Sequence, residues 1–96
     1  MAGTGVGVSR CALFDEINAR DPRWARDNYL SWAQGFMAGL NYERIREKKP
    51  TVIVNALTDD ELWARLMSYC AANPNDRFAE GAFAQYLSLP TKPPGR

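Results

Sequence analysis

The fold this sequence predicts is all-α: a compact domain of four helices with one long connection over residues 42–57. Three observations predict it. Apolar residues recur three and four positions apart in four separate stretches. A helix-start signature, Thr58 followed by Glu61, stands ahead of one of them. No pair of segments has the alternating pattern of a convincing sheet.

The elements follow in order. Residues 1–9 are Gly-rich and read as a flexible tail. A first helix fits residues 10–20, with Leu13, Phe14 and Ile17 on one face. It stops at Asp21-Pro22, because a residue before proline avoids the helical region. The same pair starts the second helix, Asp21 as cap and Pro22 as first helical residue. That helix runs to about Asn41, with Ala25, Tyr29, Trp32, Ala33, Phe36 and Leu40 at helical spacing. Gly35 and Gly39 lie four apart on it, and each costs about 1 kcal/mol against alanine in a helix interior. Close approach of another helix backbone is the expected compensation, so Trp32, Gly35, Phe36 and Gly39 are read as a helix-packing cluster. Asn41 is read as the helix terminator.

Residues 42–57 form the long connection. Tyr42 to Lys49 is charged and reads as a fraying turn, Pro50 ends it, and Thr51-Val52-Ile53-Val54 is β-branched and suits a short strand. The third helix starts at the capping box and carries Leu62, Trp63, Leu66, Met67 and Cys70 on one stripe; Asn73-Pro74 ends it. The fourth spans about 76–88, capped by Asn75 or Asp76, with Phe78, Ala79, Ala82, Phe83, Tyr86 and Leu87 inward. Trp24, Trp32, Trp63, Phe36, Phe78 and Phe83 are expected to fill much of the core. Residues 90–96, with three prolines, read as a second flexible tail around the single domain 10–89.

Composition narrows the function. Twelve basic and eleven acidic residues leave a net charge of +1, which supplies no electrostatic footprint for nucleic acid. The longest apolar runs are far too short to span a bilayer, so no membrane insertion is expected. There is no histidine to activate a cysteine nucleophile, no metal-ligand cluster and no phosphate loop. No cofactor, no metal and no enzymatic activity are therefore expected. The two cysteines, Cys11 and Cys70, fall on or beside apolar faces. Two buried thiols fit that placement, and so does a disulfide, which would close a loop of roughly 60 residues for about 4 kcal/mol.

Two blocks carry a family resemblance. The run Tyr29-Leu30-Ser31-Trp32, continued by Gly35-Phe36 and Gly39-Leu40-Asn41, is the first. Leu62-Trp63, Tyr69-Cys70, Asn73-Pro74, Phe78 and Ala82 make the second, and Cys11 precedes both. Together they resemble small exported bacterial helical proteins of the HdeA-like and type VI secretion immunity kind, over about residues 11–87. The resemblance implies a helical fold, a Cys11–Cys70 bridge, and export to the periplasm with the signal removed.

The expectation is thus an exported binding protein, an immunity-type module or another periplasmic interaction partner, whose own partner is a protein, toxin or client. An HdeA-like acid-stress chaperone is the alternative, switching through carboxylates as pH falls. The candidate partner-binding residues are Tyr42, Arg44 and Arg46 from the charged run, and Val52, Ile53 and Val54 from the β-branched run. The charged run, Glu43 to Lys49, could dock an acidic partner, and the β-branched run could be an exposed edge; a mixed-charge solvated face and packing over the core are the plainer readings of the two. A homodimer through the glycine face or the β-branched segment also suits this kind of scaffold.

Overall fold

The computed structural model describes residues 5–94; residues 1–4 and 95–96, the extremities of the two expected tails, lie outside the described residues. Four helices build the fold: α1 (Cys11–Arg20), α2 (residues 22–46), α3 (Asp59–Ala72) and α4 (Phe78–Ser88). Two short strands, β1 (Thr51–Val52) and β2 (Thr91–Lys92), pair antiparallel with Thr51 opposite Lys92 and Val52 opposite Thr91.

The local signals predicted from sequence operate at the helix starts. The Asp21 carboxylate accepts from the Trp24 N–H at 3.2 Å, with Pro22 at the first helical position. The capping box is closed in both directions: Glu61 N–H donates to Thr58 Oγ1 at 3.1 Å, and Thr58 N–H to Glu61 Oε1 at 2.8 Å. At α4 the expected cap moves. Phe78 is the first helical residue, and the Glu80 carboxylate accepts from the Arg77 N–H at 2.8 Å. Asp76 is drawn off to other partners: its carbonyl accepts from Cys11 N–H at 2.7 Å and its carboxylate from the Tyr69 hydroxyl.

Helix α2 is longer than expected, reaching Arg46 instead of ending at Asn41. The reason is that Asn41 does not terminate the helix but turns its side chain to β1, as described below. Residues Arg26–Leu30 form a wider, π-type turn within α2. Ala25, Tyr29, Ala33 and Met37 are all buried at a fixed spacing of four. In a regular helix each step of four overshoots a full turn by about 40°. The wide turn takes up part of that overshoot and keeps the stripe on the core. The helix ends on Lys48 in the left-handed conformation (φ 58°), with Lys48 N–H donating to Ile45 O at 3.1 Å and Lys49 N–H to Arg44 O at 2.9 Å. This is a Schellman closure, with lysine where glycine is usual.

The core centres on Phe14, whose ring lies 4.8 Å from Tyr29, 5.1 Å from Phe78 and 5.4 Å from Trp63. Leu66, Ala82, Tyr86 and Leu89 belong to the same buried cluster. Several expected core residues are not there: Trp24, Leu13, Phe83 and Leu87 stand exposed. Their helices each bury one narrow stripe, and these residues lie at its margin. Trp32 and Phe36 stack on each other at 5.1 Å and are half-buried.

Cys11 and Cys70 are joined in a disulfide, Cα atoms 4.7 Å apart, and both residues are fully buried. The bridge ties α1 to α3. The start of α1 is held by backbone as well. Cys11 and Ala12 N–H donate to the carbonyls of Asp76 and Pro74 at 2.7 and 3.0 Å, serving donors that have no side-chain cap.

The expected tails are built into the fold where they are described. Residues 5–10 lie along 74–78: Phe78 N–H donates to Ser9 O at 2.8 Å and the Arg77 guanidinium to Val8 O at 2.6 Å. Gly7 is buried against the Trp32 ring, where any β-carbon would collide with it. At the other end β2 pairs with β1. Both corrections have one physical origin: these segments find long-range backbone partners, which composition does not encode.

The glycine expectation is also corrected. Gly35 and Gly39 face open space, with no atom near the place of a β-carbon. The close approaches are at Gly7 and at Gly81, where a β-carbon would stand 2.8 Å from the Tyr69 ring. Gly35→Ala and Gly39→Ala are therefore each expected to raise stability by about 0.5–1 kcal/mol. Gly7→Ala and Gly81→Ala are expected to lower it by about 1–3 kcal/mol through overpacking. Thermal melts of the four single variants check both signs.

The Tyr69 hydroxyl donates to Asp76 Oδ2, and this bond, with burial and the negative charge of Asp76 behind it, pushes the phenol up to about 12. A pKa raised on folding stabilises the fold fully below the unfolded value of about 10 and ceases to do so as pH rises through 12. Tyr69→Phe is expected to flatten the loss of stability over that alkaline window and to cost about 1 kcal/mol at neutral pH. Denaturant titrations across pH 8 to 12 measure both.

Candidate functional site

The site is built from Asn41. On α2 its carboxamide is turned toward β1, where Nδ2 donates to Val52 O at 2.8 Å and Oδ1 accepts from Val52 N–H at 2.9 Å. The register explains why Val52 needs it. Ile53 N–H donates to Pro90 O at 2.8 Å, so residue 53 faces β2 through its hydrogen-bonding groups and residue 52, one step away, faces the opposite side. The amide of Asn41 supplies one donor and one acceptor in a plane, as a neighbouring strand would. Tyr86, fully buried on α4, donates its hydroxyl to the same Oδ1 at 2.7 Å. One side chain thus joins α2, β1 and α4.

This arrangement opens a groove of about 1120 Å³ between the end of α2, the β1 segment and β2. Its floor and walls are Ile45, Val52, Ile53, Val54, Pro93 and Pro94. Ile45 is 62% exposed and Val54 36% exposed. Lys48, Lys49 and Lys92 stand around it, and no acidic or aromatic residue among those described lines it. Lys49 pairs with Glu47 at 3.0 Å, whereas Lys48 and Lys92 have no ion-pair partner among the described residues.

The groove gathers half of the partner-binding candidates and disperses the rest. Val52, Ile53 and Val54 line it, although Val52 is largely buried by its pairing with β2 and Asn41. Arg44 lies on another side: its guanidinium sits 5.6 Å from the centre of the Tyr86 ring and donates to Pro50 O at 3.1 Å, bracing the turn after α2. It borders a shallower recess with Leu40, Glu43 and Phe83. Arg46 is turned to Glu43 at 3.2 Å. Tyr42 is 65% exposed and lines neither hollow. The helix-packing cluster divides as well, with Trp32 and Phe36 stacked at the core margin and Gly35 and Gly39 facing solvent.

No known protein family, curated protein or solved structure matches this chain.

Lys92, Pro93 and Pro94 had no signal as site residues in the sequence, because they lie in a segment that reads as tail. Ile45, Lys48 and Lys49 belong to the charged run 43–49, whose plainer reading is a solvated face. Only the pairing of 51–52 with 91–92 brings them together. No three Cys, Asp or Glu side chains converge to hold a metal ion among the described residues. No described helix is long and apolar enough to cross a membrane.

The exposed edge of β2 is a poor template for strand addition. It is two residues long and stands between Pro90 and Pro93-Pro94, which offer no N–H. Recognition in the groove would therefore run through side chains.

Proposed function

We propose that this protein is a non-enzymatic, exported binding protein of the immunity type, and that a partner protein docks in the groove between the end of α2 and the β1–β2 pair. The observation that carries the reading is the apolar floor of that groove. Ile45 and Val54 stay accessible on a framework that has a well-packed aromatic core elsewhere. Accessible apolar side chains grouped in a concavity and rimmed by polar ones mark binding sites. The Cys11–Cys70 bridge suits an oxidising compartment, which supports export, and the resemblance to HdeA-like and immunity proteins points to the periplasm.

The acid-chaperone alternative has less support. Glu61 is held below the usual carboxylate range by its hydrogen bonds to Thr58, so its contribution is present near neutrality and lost as pH falls. Asp15 runs the other way: burial pushes its carboxyl up, which favours the fold on protonation. The two oppose each other, and neither adjoins the groove.

The test is affinity capture from periplasmic extract with the oxidised protein as bait, beside the double variant Ile53→Asp/Val54→Asp. The expected result is one stoichiometric partner, recovered by wild type and lost with the variant. Recovery of the same proteins by both baits, or of none by wild type, overturns the proposal.

A further inference from the structure

The groove also carries information about the chemistry of what it binds. Its charge is one-sided. Lys48, Lys49 and Lys92 line it with no acidic side chain among the described residues, on a chain whose overall charge is only +1. The acids of the neighbouring run are occupied by cations of the same segment, Glu43 by Arg46 and Glu47 by Lys49. Lys48 and Lys92 come from different elements and border the same apolar floor, each without an ion pair among the described residues. Basic side chains at a helix C-terminus are explained by the helix dipole alone. Lys92 is not: it stands on β2, far along the chain, and is brought to the groove by pairing with Thr51.

Resting on the binding reading above, we propose that the groove takes an acidic segment of a partner protein, with apolar side chains set between its carboxylates. The apolar residues would rest on Ile45, Ile53, Val54 and the Pro93-Pro94 pair, and the carboxylates would meet Lys48 and Lys92 at the rim. Other occupants fit less well. A single nucleic-acid strand would gain no base stacking here, because the described lining has no aromatic side chain. A small apolar ligand needs a site that encloses most of its surface, and this groove is open along one side. Rim charges of this kind act chiefly on association rate and on the choice of partner, whereas the buried apolar contact holds the complex.

The experiment uses the full oxidised chain and three fluorescent peptides of equal length read by polarisation. One alternates Glu or Asp with Leu or Val; the second carries Lys in place of its acids; the third carries Ser in place of its apolar residues. A fluorescent single-stranded DNA is the fourth probe. The acidic-apolar peptide is expected to bind alone, to weaken as NaCl is raised, and to weaken about tenfold or more in Lys48→Glu/Lys92→Glu. It is also expected to weaken in Ile45→Asn/Val54→Asn. All four positions are accessible to solvent, and melts of the variants check that they fold. Equal binding of the lysine peptide or the DNA, or full binding by the lysine-reversed variant, overturns the proposal. The two readings separate on the native partner. If it is lost with Ile45→Asn/Val54→Asn but kept by Lys48→Glu/Lys92→Glu, the groove binds protein and the acidic class is wrong. If neither variant loses it, the docking surface lies elsewhere and both readings fall.

Discussion

Replacing Cys11 and Cys70 together by alanine is expected to lower the unfolding free energy by about 4 kcal/mol. The bridge spans a sequence separation of 59, and in the chain-entropy view that loop is closed before folding begins. A chain this short has a net stability of about 5–10 kcal/mol, so the loss leaves the domain barely folded at physiological temperature. Both residues are fully buried, between α1 and α3. A thiol reagent must therefore wait for opening, and reduction without denaturant is expected to be slow and to accelerate sharply in urea. Chemical denaturation of the oxidised and alanine-substituted chains measures the first effect, and timed alkylation the second. An oxidised chain that melts no higher than its double-alanine variant would contradict the first, and alkylation as fast without urea as with it would contradict the second.

The second large effect is at Asn41. Asn41→Leu removes a donor and an acceptor that Val52 uses and the acceptor that Tyr86 uses. Leaving such groups without partners costs about 1–3 kcal/mol each where water is excluded, and these sites are partly buried, so about 3 kcal/mol is expected in all. The loss is local in character. β1 has only β2 left, and a two-residue pairing does not persist alone. Amide exchange should rise at Ile53, whose N–H donates to Pro90, before it rises in α3. The groove should open with it, so probe binding should fall in Asn41→Leu beyond the change in stability. Asn41→Asp is a finer test: it keeps the acceptor for Val52 N–H and Tyr86 but sets a carboxylate against the Val52 carbonyl. Its stability should rise as pH is lowered and the acid gains a proton to donate.

Much of the fold was legible because its signals are local. The Thr58–Glu61 box and the Asp21-Pro22 pair mark helix starts through groups within one turn, so sequence spacing is enough to find them. The same holds for the stripe Leu62, Trp63, Leu66 and Cys70, which is buried as its spacing predicts. Asn41 shows where that reasoning stops. Asn near the end of a periodic stretch is a reasonable terminator, yet here it lies mid-helix, and its partner is eleven residues on. Gly35 and Gly39 make the same point. Their spacing suggests a close helix contact, but whether a partner sits opposite a glycine depends on where the other helices lie.

By itself the sequence determined the helical class, the starts of α2 and α3 and the inward stripe of α3. These rest on periodicity and capping, which act over three or four residues. The tertiary structure alone decided that residues 5–9 and 90–92 belong to the body of the domain, that the glycines in close contact are Gly7 and Gly81, and that a lysine-rimmed groove exists. Each of these depends on backbone groups or ring faces far apart in sequence meeting in space, and a backbone N–H carries no residue type by which such a meeting could be read.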